Sequence, residues 1–228
     1  MKISLPFFIF NPKSYLFGDQ LLQLAKVADK VAEEMEMTIM VTAPFSDLKL
    51  ITENTKNIIV SAQHMDPIKP GRGMGHIFGE SLKEIGVRAT FLNHAEHPMK
   101  FSDLVATINR CRDLDIISIV CADSIDEAKA LAHLAPDIIL CEPTELIGTG
   151  KTSDDSYIET TNRAIKEIND NILVMQAAGI SDADDVYRTI FLGAEGTGCT
   201  SGIVKAKNPE QMLKDMILSA DKAYRERG

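Results

Sequence analysis

The sequence predicts an α/β fold in which eight parallel strands alternate with helices and close into a single-domain (β/α)8 barrel. Short apolar runs alternate with helical patterns along the whole chain, and they make up about eight strand–helix units. The 228 residues have 45% hydrophobic content, enough for a substantial core, and parallel α/β barrels commonly occupy this size as one domain. We therefore expect one domain over residues 1–228, without an internal linker.

The first half of the chain contains three strands, two helices and a long loop. Strands are predicted at residues 3–10, 38–43 and 58–62, and helices at residues 19–35 and 46–53. Residues 64–75 include Pro67, Pro70 and three glycines, which indicates a long loop instead of an immediate helix. Because long ordered loops usually carry a function or an interface, we expect a homo-oligomer, either a dimer or a tetramer.

The second half repeats the alternation more regularly. Strands are predicted at residues 89–92, 116–121, 138–141, 172–176 and 196–200, and helices at residues 80–85, 102–114, 128–134, 157–169, 182–192 and 209–224. Ser124 and Glu127 have the spacing of a capping box, and Asn208 followed by Pro209 is typical of a helix start. These signals place two of the helix starts independently of periodicity.

Composition and charge limit the class of protein. A net charge of −9 without a long basic run argues against nucleic-acid binding. The apolar N-terminal run is short and lacks a small-residue cleavage site, so it predicts a strand and not a signal peptide or a membrane span. The four cysteines are widely spaced without a CxxC pair, which favours free buried thiols in a reducing cytoplasm over disulfides or a zinc site.

The candidate site residues follow the predicted strands. In a parallel barrel the carboxyl ends of all strands face one rim, where active sites are built. There the sequence supplies a lysine (Lys13), an imidazole (His94) and a carboxylate (Glu142) from three different strands, together with glycine-bearing turns after strands six, seven and eight. A general base, an electrophile and an anion cradle together suggest proton abstraction next to a carbonyl on a phosphorylated substrate.

Several motifs carry a resemblance to a known family. They are, in chain order, Asn11-x-Lys13, Ala62-Gln63-His64, Asn93-His94-Ala95-Glu96, Glu142-Pro143-x-Glu145-Leu146-Ile147-Gly148-Thr149-Gly150, and Ser201-Gly202 followed by Lys205. In this order, across nearly the whole chain, they resemble triosephosphate isomerase in its compact, archaeal-type branch. The resemblance implies a TIM barrel that interconverts D-glyceraldehyde 3-phosphate and dihydroxyacetone phosphate through an enediolate, as in glycolysis and gluconeogenesis. It implies no metal or organic cofactor.

The resemblance also implies a role for each matching residue. Glu142 would be the base that moves a proton between adjacent substrate carbons, and His94 the neutral electrophile that polarises the carbonyl. Lys13 would supply positive charge to the enediolate, with Asn11 positioning nearby groups and Glu96 contacting Lys13. Backbone N–H groups of four residues would bind the substrate phosphate: Gly148, Gly179, Ser201 and Gly202. A closing lid that excludes water would comprise Pro143, Thr144, Glu145, Leu146, Ile147, Gly148, Thr149 and Gly150.

The chain also departs from the family pattern. Ala95 and His97-Pro98 stand where a serine and a basic residue are usual, and Met74 replaces a threonine of the interface loop. Pro98 predicts that any helix starting at His94 is shortened or shifted. The other histidines are expected to be structural or solvent-exposed. Two alternatives remain open: an isomerase of a related short-chain phosphorylated sugar, such as a tetrose phosphate, and a catalytically weak paralogue that binds phosphorylated metabolites.

Overall fold

The strands form a closed parallel barrel. A computed structural model describes residues 3–143, Leu146, Thr149 and 152–228. Each strand pairs in parallel with the next along the chain and the last pairs with the first, which confirms the (β/α)8 class of the single-domain TIM barrel. The strands are β1 (Phe7–Phe10), β2 (Thr38–Ala43), β3 (Ile59–Ala62), β4 (Ala89–Leu92), β5 (Ile117–Ala122), β6 (Ile138–Cys141), β7 (Leu173–Gln176) and β8 (Gly196–Cys199).

The helices alternate with the strands and cover the outside of the barrel. They are α1 (Gly18–Met35), α2 (Leu48–Asn54), α3 (Gly79–Glu84), α4 (Phe101–Leu114), α5 (Ile125–Ala132), α6 (Asp155–Ile168), α7 (Ala183–Phe191), α8 (Ser201–Val204) and α9 (Pro209–Arg227). The short helix α8 follows β8 directly and was not predicted from periodicity, because four residues are too few to show a helical repeat. No helix in the described residues is long and apolar enough to cross a membrane.

Alternating side chains of the strands build two apolar layers. Phe7 and Ile9 point into the barrel, whereas Phe8 and Phe10 belong to the larger cluster between the strands and the helices. The ring of Phe7 fills the space beside Gly196, where an added Cβ would lie 2.2 Å from the ring. The barrel interior is therefore packed solid, and the site must lie on its rim.

Local sequence signals explain where the elements begin. Ser124 Oγ accepts the Glu127 N–H at 3.2 Å, and Asn208 Oδ1 accepts the Gln211 N–H at 3.1 Å, so both predicted helix caps are confirmed. Strand β1 begins four residues later than predicted. Pro6 has no N–H to donate to a neighbouring strand, and the pairing starts at Phe7, whose N–H donates to Glu195 O.

Candidate active site

Lys13 is held in an uncommon backbone conformation at the end of β1. Its φ is +50°, a left-handed value that costs about 1–2 kcal/mol for a residue other than glycine. Asn11 Oδ1 accepts the Lys13 N–H at 2.9 Å, and Gln63 Nε2 donates to Lys13 O at 2.8 Å. The Lys13 ammonium lies 2.5 Å from Glu96 Oε1 and is mostly buried. Contacts from three strand ends therefore hold both the backbone and the ammonium group of this lysine in place.

His94 lies in a tight turn between β4 and α4. The His97 N–H donates to His94 O at 2.7 Å, and α4 begins only at Phe101, beyond Pro98. The side chain of the preceding residue, Asn93, accepts the Met99 N–H at 3.1 Å and donates to Cys121 O of β5 at 3.2 Å, so it closes the turn and ties it to the neighbouring strand. The helix is thus displaced from His94, as Pro98 predicts, and the helix dipole cannot set the charge of this imidazole.

Other groups favour the neutral form of His94. Burial lowers the pKa of His94 below its ordinary value, the positive charge of Lys13 lowers it further, and Glu96 only partly opposes them. The Glu96 N–H donates to His94 Nδ1 at 3.1 Å, which makes Nδ1 an acceptor. A neutral imidazole with an acceptor at Nδ1 carries its proton on Nε2. His94 therefore presents an Nε2–H donor to the site.

Glu142 stands opposite that donor at the end of β6. Its N–H continues the strand pairing by donating to Ala122 O at 3.0 Å, and its side chain is 15% exposed. Burial raises the pKa of Glu142 above its ordinary value; Lys13 opposes this shift and Glu96 adds to it. Glu142 Oε2 lies 3.8 Å from His94 Nε2, too far for a direct hydrogen bond. The Glu142 carboxylate is thus more basic than usual, and it makes no direct hydrogen bond to the His94 imidazole.

Lys13, His94 and Glu142 line one small cavity of about 40 Å³ over the packed barrel interior. Asn11 lines the same cavity, and the floor is apolar, formed by side chains of Ile9, Phe91, Leu140 and Met175. Charged groups over a water-poor apolar floor interact more strongly than they do in water. The arrangement suits proton transfer to and from a small substrate.

The turns after β7 and β8 pack directly against each other. An added Cβ at Gly202 would lie 2.4 Å from Ser181 O, and Cys199 Sγ donates to Ile180 O at 3.2 Å. Gly179 adopts a left-handed φ of +68°, and Asp185 of α7 accepts both the N–H and the hydroxyl of Ser181, at 2.9 and 2.6 Å. Three of the four residues expected to bind phosphate therefore lie where the turn after β7 adjoins the start of α8: Gly179, Ser201 and Gly202.

The expected lid is described only in part. Pro143 is buried, the Leu146 N–H donates to Pro143 O at 2.9 Å, and the Thr149 N–H donates to Leu146 O at 3.2 Å. The remaining lid residues lie outside the described residues: Thr144, Glu145, Ile147, Gly148 and Gly150. Gly148 is also the fourth residue expected to bind phosphate.

Arg188 of α7 anchors the segment that follows the lid. Its guanidinium donates to Thr152 Oγ1 and to Ser153 O, both at 2.9 Å, and pairs with Asp155. Nothing in the sequence indicated a role for this residue, because an arginine within a helix gives no sign of a partner more than thirty residues away. Its three partners tie the end of the lid segment to the next strand–helix unit.

A second and larger cavity, of about 620 Å³, opens beside Lys13 and Glu96. Four residues on its wall form what we call the imidazole cluster: His64, Asp66, His76 and His97. Taken singly, these histidines were expected to be structural or exposed, and no sequence spacing showed that they meet. In the part of the chain that the structure describes, no group of three or more His, Cys, Asp or Glu side chains is placed to hold a metal ion.

The fold and this rim define a class of barrel enzymes that move protons on small substrates. The chain matches the family model described as triosephosphate isomerase over residues 6–216. It is 45% identical to the triosephosphate isomerase of Methanocaldococcus jannaschii over 214 residues, which are 92% of this chain and 97% of that protein. The corresponding enzymes of Caldivirga maquilingensis and Methanothermus fervidus are 38% and 36% identical over 94% and 93% of this chain, and 97% of each of those proteins is covered. The chain therefore belongs to the triosephosphate isomerase family.

Proposed function

We propose that this chain interconverts D-glyceraldehyde 3-phosphate and dihydroxyacetone phosphate by proton transfer through an enediolate. One observation carries the proposal: a carboxylate with a raised pKa and an imidazole Nε2–H face the same cavity across 3.8 Å, with an ammonium beside them. This set supplies a base, a hydrogen-bond donor and a positive charge within reach of two adjacent substrate carbons.

The proposed proton path uses these groups in order. Glu142 removes the proton from the carbon next to the carbonyl, and the electron pair moves onto the carbonyl oxygen. His94 donates its Nε2–H to that oxygen, while the charge of Lys13 stabilises the enediolate. Glu142 then delivers its proton to the former carbonyl carbon, while the hydroxyl on the neighbouring carbon gives its proton to His94 Nε2 and becomes the new carbonyl. The oxidation states of the two carbons are thereby exchanged, and both Glu142 and His94 regain their starting protonation states.

A neutral His94 is essential in this scheme. A protonated ring would form an ion pair with Glu142 across 3.8 Å and would hold the base away from the substrate. Lys13 acts against that protonation, because its charge lowers the pKa of His94. The same lysine therefore has two proposed tasks, stabilising the enediolate and keeping the electrophile uncharged.

The substrate phosphate is proposed to bind backbone N–H groups of the adjoining turns after β7 and β8. Gly179, Ser201 and Gly202 supply these groups, and Gly148 of the lid adds another. Backbone donors at a turn and at a helix start suit an anion because the local dipoles point at it. Closure of the lid would exclude water from the enediolate.

A steady-state assay with purified protein and both triose phosphates tests the proposal. We expect turnover in both directions, and we expect Glu142→Gln to lower kcat by at least about 10²–10⁴-fold, the usual cost of losing a positioned base. Glu159→Gln, on the exposed face of α6, is the matched control and should match the wild type. Near-normal turnover by Glu142→Gln would reject the base, and a preference for a tetrose phosphate would reject the substrate.

We also infer a homo-oligomer that pairs through residues 64–78. Met74 is fully exposed at the tip of this loop, between Gly73 and Gly75, whose φ values are positive. Tyr15, Phe17 and Phe45 are exposed on the neighbouring connections after β1 and β2. Exposed apolar side chains beside a large cavity are typical of an interface. Sedimentation velocity at micromolar concentration should show a dimer or tetramer; a monomer alone would contradict the inference.

A cytoplasmic location, with a role in glycolysis and gluconeogenesis, completes the proposal. All four cysteines are buried and free, which is the usual state of thiols in a reducing compartment. Cell fractionation with an antibody against the chain would test the location.

A further inference from the structure

Asp66 closes the base of the loop formed by residues 64–78. Its N–H donates to Ile77 O at 2.7 Å, and its Oδ2 accepts the Ile77 N–H at 2.7 Å, so the two ends of the loop are joined. The other oxygen, Oδ1, lies 3.3 Å from His64 Nε2 and 3.1 Å from His76 Nδ1. One carboxylate therefore holds both ends of the loop that carries Met74, and it shares an oxygen between two imidazoles.

The third imidazole of the cluster comes from a different strand end. The rings of His64 and His97 lie 4.2 Å apart between centroids and are inclined by 57°. His64 is buried, whereas His76 is about half exposed, with 54% of its side chain accessible. The cluster thus connects the 64–78 loop to the turn that carries His94 and Glu96.

Protonation would change the charge of this cluster strongly. With Asp66 ionised and three neutral imidazoles its formal charge is −1, and with three protonated imidazoles it is +2. The other titratable groups on the cavity wall are Lys13, His94 and Glu96, and β2 with the connection after it contributes only the uncharged Thr42 and Phe45. Lys13 and Glu96 already neutralise each other, so little negative charge remains to balance added protons.

The pKa directions agree with this geometry. Burial lowers the pKa of His64, and the neighbouring His97 and His76 add to the effect, while Asp66 opposes it. Burial acts to raise the pKa of Asp66, but hydrogen bonds from Ile77, His76 and His64 outweigh it and hold that pKa below its ordinary value. The Asp66 carboxylate is thus held in its ionised form.

We propose that the imidazole cluster makes the pairing of two copies through the 64–78 loop sensitive to acid, so that pairing requires neutral imidazoles. This inference rests on the proposed homo-oligomer. A second copy seated on the cavity would remove water from the cluster, and a desolvated positive charge without a partner is strongly unfavourable. In a two-fold dimer both copies contribute the same surface, so each of the two clusters would bring its own unpaired positive charge into the interface.

Linkage gives the size of the effect. Each imidazole that must lose its proton on association raises the dimer Kd by up to about tenfold per pH unit below its pKa. If two such imidazoles in each copy, four in the dimer, must lose their protons, the dimer Kd would rise by up to about 10⁴-fold per pH unit. The dissociation should therefore be steep and should begin as the pH falls below neutrality.

Sedimentation equilibrium of the full chain between about pH 8 and about pH 5.5, across the range in which histidines titrate, tests the proposal. The test variant is the double substitution His76→Gln with His97→Gln, because glutamine keeps an N–H donor but cannot take up a proton. The matched control is His133→Gln, an exposed histidine at the end of α5, far from the loop in sequence. Thermal unfolding at neutral pH checks that each variant is folded.

The expected result is a dimer Kd that rises steeply with acid in the wild type and in His133→Gln, and rises at least about tenfold less per pH unit in the double variant. An unchanged wild-type Kd across the range would overturn this inference and leave the oligomer intact. A monomer at every pH would reject the oligomer itself, and equal acid dissociation in all three proteins would assign the effect to other groups. If the double variant does not fold, an NMR titration of the wild-type imidazoles decides: protonation of His64 without a change in mass would overturn the proposal.

Discussion

The two sides of the barrel rim differ in how their residues are brought together. On the side of β6, β7 and β8, Glu142, the lid and the turns expected to bind phosphate each occupy a short continuous stretch of sequence. On the side of β1, β3 and β4, Lys13 depends on side chains from other connections, Gln63 and Glu96, and its charge in turn lowers the pKa of His94. The first side can be identified from motifs, whereas the second takes its properties from contacts between distant residues.

After the loss of the base itself, the largest effect is expected from Lys13→Met, which tests whether the β1 side takes part in the chemistry. Loss of a group that stabilises an oxyanion typically costs about 10²–10³-fold in kcat. Because the Lys13 charge lowers the pKa of His94, the variant should also raise that pKa, a shift that NMR titration of the imidazole would detect. Lys49→Met on α2 is the control. A loss of turnover with an unmoved His94 pKa would contradict the second task assigned to Lys13.

A smaller effect is expected from Arg188→Met on the opposite side. The substitution removes the contacts to Thr152, Ser153 and Asp155 but touches no reacting group. Poorer positioning of the lid should lower kcat/KM by about 10- to 10²-fold, the range for a small displacement away from the chemistry. Arg163→Met, on α6, is the control. Kinetics equal to those of the wild type would show that the lid does not depend on this anchor.

The smallest effect is a change of stability in Glu142→Gln. The pKa of Glu142 is raised in the folded state, so over the range between the unfolded and folded pKa values the folded state binds more protons than the unfolded state. The ionised carboxylate therefore lowers the free energy of unfolding as pH rises through this range, and the loss persists at neutral pH. Removing the charge should therefore raise Tm at about pH 8, by about 2–4 °C for each 1 kcal/mol recovered at this chain length.

The sign of this change can be checked by calorimetry at two pH values. At about pH 4, where both states of the wild type hold the proton more fully, the difference between Glu142→Gln and wild type should shrink. A Tm at about pH 8 that is lower in the variant would show that the carboxylate stabilises the fold, against the direction of its pKa.

Sequence patterns predicted most of the fold because periodicity and caps are local properties. The bounds predicted for β4 and β6 agree with the observed strands, and the caps at Ser124 and Asn208 are present. Proline at position 6 shortened β1, which a count of apolar residues did not anticipate. The same patterns put Lys13, His94 and Glu142 on one rim, although their roles stay predictions.

Contacts between distant residues left no trace in the sequence. The contact of Gln63 with Lys13 and the meeting of His64 with His97 both depend on where separate loops come to lie. Such contacts follow from the closed barrel, which brings strand ends together over separations of thirty to eighty residues. The hydrophobic periodicity of a strand or a helix describes only neighbouring residues, so it cannot predict such contacts.

Helix α7 gives the rim a mechanical link. Asp185 holds Ser181 of the turn expected to cradle phosphate, and Arg188, three residues later on the same helical face, holds the segment that follows the lid. A ligand bound at the Ser181 turn and closure of the lid would therefore both act on the same part of α7, between Asp185 and Arg188. Binding of phosphate at the turn after β7 would then be coupled to the segment that follows the lid through a small rigid displacement of α7.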